Sequence, residues 1–378
     1  MYDLRSIVAR LDENKNEWQT AGSEPSQTAF RRLSQKSSMR AYFIRRFLLI
    51  LPTFLGITVL IFVITRFVPG GPIERIIVQA QQQALSGGGA VSETVQRQPL
   101  SDDQIALLKK YYGFDKPVLI SYFSWLGKLL RGDLGTSTRY YDPVWTMIRN
   151  RIPVSLYFGL LTLIATYGVC IPLGIAKAIR HKSVFDDASS VLVFVGYAIP
   201  GWVAGILMIL VFSSHWEWFP LGELVSENVD TMGFWEKALD LAWHSVLPLL
   251  AYLVGAFSFM TFLMKNTLMD NLAADYVRTA MAKGLSFRRA VFGHALRNSL
   301  IPIATTFGSN ISVILSGSFL VEKVFNIDGM GLLGYESVVE RDYPVVMGVL
   351  AISSLLFLIG NVLSDMCVAW VDPRVKFE

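Results

Sequence analysis

The sequence lacks the residues on which several classes of protein depend. It has two cysteines in 378 residues, Cys170 and Cys367, which argues against a disulfide framework and a cysteine-based metal centre. Charged residues make up 17% of the chain, against about 25% in an average soluble protein. The formal net charge of +4 is scattered, so no basic stripe indicates nucleic-acid binding. We therefore predict neither a metal site nor a nucleic-acid partner.

Motifs that carry catalytic chemistry are also missing. The single Gly-Lys pair, Gly127-Lys128, lacks the upstream glycine of a G-x-x-x-x-G-K-[ST] loop, so the chain does not bind ATP by that route. Neither the G-x-S-x-G nor the H-E-x-x-H pattern occurs. We predict no catalytic residue and no cofactor in this chain, which is therefore not expected to be an enzyme.

The shortage of charge is concentrated in six stretches that contain no Asp, Glu, Lys or Arg: 47–65, 152–176, 188–214, 245–264, 299–321 and 345–364. Each is close to the roughly 20 residues that a helix needs to cross a hydrocarbon core of about 30 Å. Carriers driven by an ion gradient usually place an ionisable residue at mid-membrane. These stretches have none there, so we expect the energy source to lie outside this chain.

The pattern predicts an all-α integral membrane protein with six transmembrane helices. Lys and Arg are frequent in the short loops 177–187 and 265–298, which places those loops and both termini in the cytoplasm. The predicted segments are a polar tail at 1–39 that we expect to be disordered, a first helix at 44–68, a periplasmic loop with short helices at 69–150, a core at 151–371 with spans at 152–176, 188–214, 245–264, 299–321 and 345–366, and a cytoplasmic C-terminus at 372–378.

The periplasmic loop contains two predicted helices. Ser101 is placed to cap one that continues through Tyr112, and Pro117 is placed to open another. The second helix has one apolar stripe, suited either to the membrane surface or to packing within the protein: Leu119, Phe123, Leu126 and Leu130. In the second core span, Gly201 and Gly205 have the spacing of a helix-packing motif, although kinks used for gating are an alternative.

The cytoplasmic segment 270–302 contains the clearest local signals. The residues predict a short helix to Lys283 that ends at Gly284, where a positive φ is needed, with Leu285 folding back on the last turn. Ser286 is expected to cap the following helix. A structural helix-turn-helix between two spans is one interpretation, and a surface for a partner protein is the other.

This segment resembles the coupling loop, or EAA loop, of permeases of ATP-binding-cassette (ABC) importers. The matching runs are Asp-Tyr-Val-Arg-Thr-Ala at 275–280, Lys-Gly-Leu at 283–285 and Arg-Asn-Ser-Leu-Ile-Pro at 297–302. Arg-Thr-Ala at 278–280 stands where the general pattern has Glu-Ala-Ala, and this form is typical of the peptide-transporter subgroup. Further matches lie at 131–135, 329–331, 341–344, 365 and 372–374, so the resemblance covers residues 39–378. Asp328 in place of proline and the long stretch 73–100 are similar to the branch that imports microcin C and other oligopeptides.

The resemblance implies a type I ABC importer permease fold in the bacterial inner membrane. It also implies a second homologous permease, two ATP-binding-cassette domains that hold ATP and Mg²⁺, a periplasmic peptide-binding protein and surrounding lipid. It assigns no residue to the substrate path. The alternative is a stand-alone ion-coupled secondary carrier or a membrane sensor. The residues that it assigns to coupling with the ATPase are Tyr276, Arg278, Thr279, Ala280, Lys283, Gly284, Leu285, Arg297, Asn298 and Pro302.

Overall fold

A computed structural model describes residues 24–67 and 115–371, with a few isolated residues between those ranges. Residues 24–51 belong to a first compact unit, and the described residues from Pro52 onward form a second. Within the described ranges the chain is helical, and its one β contact is an isolated bridge between Thr136 and Pro143. The predicted all-α class is therefore confirmed for these residues.

The helices are numbered in chain order. Those longer than one turn in the described ranges are α1 (Glu24–Phe67), α2 (Val118–Leu129), α3 (Val144–Ile179), α4 (Val184–Ala198), α5 (Gly201–His215), α6 (Phe234–Ala273), α7 (Asp275–Ala282), α8 (Phe287–Ala290), α9 (Leu296–Ser316), α10 (Phe319–Val324), α11 (Met330–Val339) and α12 (Tyr343–Val371). Short π-helical segments lie within α3 and α5 and between α8 and α9, at Thr166–Cys170, Ile209–His215 and Val291–Ala295.

Four helical segments in the described ranges are long and apolar enough to cross a membrane: Tyr42–Phe67, Val144–Ile179, Phe234–Ala273 and Tyr343–Ala369. The helices α4 and α5 together form a fifth candidate. The predicted span 299–321 falls on α9, which ends at Ser316. The total of six spans and the orientation of the termini remain predictions.

The predicted span 188–214 is broken rather than straight. Helix α4 ends at Ala198, α5 begins at Gly201, and their axes differ by 99°. Pro200 accounts for the break, because it has no N–H to continue the ladder and its ring restricts the preceding residue. A Cβ on Gly201 would collide with the carbonyl of Ala251 in α6, and one on Gly205 would lie 2.9 Å from the Phe325 ring. Both glycines therefore serve the close helix packing that their spacing predicted.

One expectation about the polar tail differs from the structure. Residues 24–39, expected to be disordered, form the beginning of α1. Pro25 is tolerated in the first turn of a helix, and no further proline or glycine interrupts the chain before Pro52. Residues 1–23, the predicted helix from Ser101 to Tyr112 and the C-terminus at 372–378 lie outside the described residues.

The predicted apolar stripe of α2 does not form a single buried face. Pro117 precedes the helix as expected. Leu126 packs with Tyr122 against Phe62 of α1, whereas the rest of the stripe is exposed: Leu119, Phe123 and Leu130. Contact with Phe62 of α1 therefore determines which side chains of α2 are buried, and the spacing of the leucines alone does not.

Two of the apolar clusters of the second unit join several helices. One cluster joins α3, α6, α7 and α9 through Cys170, Met264, Leu268, Val277 and Ile303. The other joins the start of α3 to α11 and α12 and is formed by Leu134, Val144, Met147, Ile148, Met330, Leu333, Val345 and Val349. Since α9 has 21 residues, it extends about 30 Å away from its start beside α7 and ends at Ser316, at the far side of the bundle.

Candidate functional site

The segment assigned to coupling is a short helix that ends in a tight turn. Helix α6 stops at Ala273, Ala274 is extended, and α7 runs from Asp275 to Ala282. The amide of Gly284 donates to the carbonyl of Met281 at 2.9 Å, and the amide of Leu285 donates to that of Ala280 at 3.2 Å. Gly284 has a φ of +93°. These are the two hydrogen bonds of a Schellman cap, as the Lys-Gly-Leu sequence predicted.

Helix α7 has one deeply buried contact. Val277 is fully buried in the cluster that contains Met264 and Leu268 of α6 and Ala295. Most of the residues assigned to coupling are exposed on the other sides of the segment: Tyr276, Arg278, Thr279, Lys283, Gly284, Arg297 and Asn298. Ala280, Leu285 and Pro302 are half-buried. Val277 thus attaches α7 to the helical bundle, while the residues on the opposite side of α7 are accessible at the surface.

Two residues assigned separately are brought together by the fold. The amide nitrogen of Asn298 donates to the Tyr276 hydroxyl at 3.1 Å, and that hydroxyl donates to the side-chain oxygen of Asn271 at 2.7 Å. Tyr276 therefore connects the end of α6 to the start of α9. Arg278 contacts Asp275 of its own helix at 4.0 Å, at the surface.

Two local expectations about this segment need correction. Ser286 occupies the cap position of α8, but its side chain makes no capping hydrogen bond. A Cβ on Gly284 would meet no atom within 4 Å, so glycine is required there by the backbone conformation and not by crowding within this chain. Sequence reasoning also missed three exposed apolar side chains beside α7: Met281, Phe287 and Phe292.

A buried charge cluster lies where the helices approach this segment. The Asp186 carboxylate accepts from the Lys265 ammonium at 2.7 and 2.8 Å and contacts the Lys177 ammonium at 3.2 Å. Lys177 is completely buried and also donates to the hydroxyls of Ser189 and Ser190 at 2.7 and 2.9 Å. Sequence reasoning treated these lysines as flanking charges. Instead they join α3, α4 and α6, and α6 leads directly to α7.

A second buried carboxylate lies at the opposite end of α9. Glu322 accepts from the amide of Leu332 at 2.6 Å, the amide of Ser318 at 3.2 Å and the Tyr252 hydroxyl at 3.2 Å. Burial raises the pKa of the Glu322 carboxyl, while these donors oppose the rise. A Cβ on Gly329 would lie 2.5 Å from the carboxyl carbon of Glu322. The Gly-Met-Gly match at 329–331 thus leaves room for this carboxylate.

Two further matched runs meet at the same end. The carboxylate of Asp342 is buried and accepts from the Thr138 amide at 3.1 Å and the Thr138 hydroxyl at 3.2 Å. Thr138 follows the run 131–135, in which Gly132 and Gly135 have φ values of +79° and +84°. The loop before α3 is therefore fastened to the start of α12.

Helices α3, α6 and α9 and the turn at Ser318 line a cavity of about 100 Å³. Its polar lining is uncharged and is supplied by Ser155, Thr162, Thr166, Tyr167, Tyr252, Asn310 and Ser318. Thr166 and Tyr167 lie in the π-helical turn of α3, a distortion that is common at functional sites. The Asn310 amide donates to the Tyr167 hydroxyl at 3.1 Å.

Residues 170–377 match the family model described as the binding-protein-dependent transport system inner membrane component. The chain is 41% identical over 360 residues to the peptidoglycan transport system permease protein YejB of Agrobacterium fabrum, covering 90% of this chain and 99% of that protein. It is 39% identical to the inner membrane ABC transporter permease protein YejB of Escherichia coli O157:H7, covering 90% of this chain and 100% of that protein.

The oligopeptide transport system permease protein AppB of Bacillus subtilis is 35% identical over 340 residues, which covers 90% of this chain and all of AppB. The dipeptide transport system permease protein DppB of Escherichia coli K12 is 29% identical over 356 residues, with 90% and 100% covered. The chain therefore belongs to the family of inner-membrane permease components of binding-protein-dependent transport systems. It is a multi-pass protein of the inner membrane.

Proposed function

We propose that this permease component forms part of an ATP-driven importer of oligopeptides. A periplasmic binding protein delivers the peptide, and the chain passes it across the membrane together with a second, homologous permease. Two ATP-binding-cassette domains, which hold ATP and Mg²⁺, supply the energy from the cytoplasmic side. The names of AppB, an oligopeptide permease, and of the Agrobacterium YejB, a peptidoglycan permease, support a peptide-containing substrate.

The observation that carries this proposal is the geometry of α7 and the turn after it. A helix held by one buried side chain, Val277, and closed by a Schellman cap presents its remaining residues outward. Met281 and Phe287 expose apolar side chains beside charged residues, and methionine and aromatic side chains surrounded by polar groups are typical of protein interfaces. We infer that this surface binds the ATPase and that α6 transmits its movement to the spans.

Two substrate classes fit the relatives. The first is an oligopeptide, including a modified peptide of the microcin C type. The resemblance of Asp328 and of the stretch 73–100 to the microcin C branch favours it. The second is a peptide released from peptidoglycan, which the name of the Agrobacterium relative favours. Both carry peptide amide groups, so the same path accommodates either.

The test is transport by the reconstituted complex. The chain is purified from its own membrane with its associated proteins and placed in proteoliposomes. We expect an ATPase and a second permease to copurify, and uptake of radiolabelled tri-alanine to require ATP and binding protein. A chain that purifies alone and transports in response to a proton or sodium gradient would instead identify a secondary carrier.

A further inference from the structure

We propose that the uncharged cavity between α3, α6 and α9 is a binding site for the main-chain amides of the transported peptide. This inference rests on the proposed function, because it assigns part of the substrate path. It begins from two hydroxyl groups whose burial requires an explanation.

The hydroxyls of Thr162 and Thr166 are buried and have no hydrogen-bond partner among the described residues. A threonine in a helix usually avoids this by donating to the carbonyl three or four residues earlier. Other threonines of this chain do so: Thr65 donates to Ile61 at 2.9 Å and Thr267 to Leu263 at 2.8 Å. Since an unsatisfied buried hydroxyl destabilises a protein, two at one cavity indicate a ligand that satisfies them.

The local backbone aims these groups at the cavity. Thr162 and Thr166 are one turn apart on α3, and Thr166 begins the π-helical turn that also carries Tyr167. The Tyr167 hydroxyl is held by Asn310 of α9. Two helices therefore contribute polar groups to the same space through side chains that are already positioned.

The chemistry of the lining selects the class of ligand. Hydroxyl and carboxamide groups both donate and accept, as a peptide amide does, and the lining contains no titratable acid or base other than phenols. Main-chain amides are common to all peptides, so binding through them does not depend on side-chain identity. The cavity volume of about 100 Å³ is enough for roughly three water molecules, which is close to the space of one amide group. The site therefore holds one peptide unit at a time as the chain passes.

The cavity also contacts the buried carboxylate at the far end of the bundle. Tyr252 and Ser318 line it, and both donate to Glu322. Ser318 follows Gly317, whose φ of +69° ends α9. A peptide bound here is thus in contact with the turn that closes the path on that side.

The decisive variant is the double substitution Thr162→Val with Thr166→Val, which keeps the side-chain shape and removes both hydroxyls. Tri-alanine uptake is measured in proteoliposomes of the whole complex with saturating binding protein. We expect uptake to fall roughly tenfold, as for the loss of two hydrogen bonds, with unchanged assembly of the complex. Because valine removes a buried unpaired hydroxyl, the thermal midpoint should stay equal or rise. This combination of lower uptake and undiminished stability separates a binding role from a structural one.

Two controls accompany it. Thr261→Val removes a hydroxyl of α6 that is also buried without a partner among the described residues but does not line the cavity, and we expect normal uptake. Thr162→Ser with Thr166→Ser retains both hydroxyls, and we expect most of the uptake to return. Wild-type uptake by the valine variant would overturn the cavity assignment alone. Absence of ATP-driven uptake by the unchanged complex would overturn both this assignment and the proposed function.

Discussion

Two of the buried carboxylates in the described part of the chain, Asp186 and Glu322, are satisfied in different ways. Asp186 is held by the ammonium groups of Lys177 and Lys265, and Lys265 is 79 residues away on α6. Glu322 is held by backbone amides of Ser318 and Leu332, within ten residues of itself, and by the Tyr252 hydroxyl of α6. The first arrangement fastens separate helices together beside α7. The second mainly shapes a local turn where α9 ends.

This difference predicts which end tolerates substitution. A buried charge that loses its partner is far more costly than a buried hydrogen bond that loses one member. Substitution of Asp186 should therefore weaken the packing of α3, α4 and α6 against one another. Substitution of Glu322 should mainly distort the turn where α9 ends.

The largest effect is expected for Asp186→Asn. This variant leaves two buried ammonium groups without a compensating charge, and breaking such a buried pair costs about 3–5 kcal/mol. Thermal unfolding of the detergent-solubilised chain measures it, with Asp187→Asn, at the exposed neighbouring position, as the matched control. Adding Lys265→Met to Asp186→Asn should restore part of the loss. Equal unfolding temperatures for Asp186→Asn and Asp187→Asn would show that the cluster does not hold the helices.

A smaller effect is expected for Glu322→Gln. The amide group of glutamine presents a donor toward the amides of Ser318 or Leu332, and one lost buried hydrogen bond costs about 1–3 kcal/mol. Glu227→Gln, at an exposed position, is the control. If Glu322→Gln unfolds at the same temperature as Glu227→Gln, the carboxylate is not needed to shape the turn.

Local features of these regions could be predicted from the sequence, whereas contacts between distant helices could not. The Schellman cap at Gly284 followed from three adjacent residues, because a cap is a local structure. The spans were located by their lack of charge, but α6 continues beyond the predicted span 245–264 at both ends, since a helix does not stop where the hydrocarbon does. The ion pair of Asp186 with Lys265 was not predictable, because it depends on how α4 and α6 pack.

The same reasoning applies to the break and the cavity. Pro200 explains why the second core span is broken, but the angle of 99° between α4 and α5 is not specified by any local run of sequence. The cavity depends on the juxtaposition of α3, α6 and α9, so no run of sequence contains it. Its members, such as Thr162 and Asn310, resemble ordinary polar residues within a helix.

A third substitution tests the backbone of the coupling turn. Gly284→Ala places a side chain at a φ of +93° with no steric contact, so the expected cost is the conformational strain alone, about 1–2 kcal/mol. Gly293→Ala adds the same methyl group in open space, at a glycine whose φ is not positive, and should be neutral or slightly stabilising. Local hydrogen exchange across 275–285 measures both. Unchanged exchange in Gly284→Ala would contradict the role of the cap.

The smallest effect is expected for Tyr276→Phe. It removes the hydroxyl that connects Asn271 with Asn298, at a surface position, and should cost about 0.5–1.5 kcal/mol or less. We expect normal insertion into the membrane and a moderate fall in uptake for each ATP hydrolysed. Tyr141→Phe, on an exposed tyrosine far from α7 in sequence, is the control. Equal coupling ratios for the two variants would remove Tyr276 from the coupling contact.

The central claim is that the exposed side of α7 binds the ATPase. A photo-crosslinking amino acid at Met281 tests it most directly, with the same amino acid at Tyr141 for comparison, since both side chains are exposed. The account predicts an ATP-binding-cassette protein attached at position 281 and not at position 141. Attachment of the ATPase at position 141, or its absence from position 281 in an assembled, active complex, would contradict it.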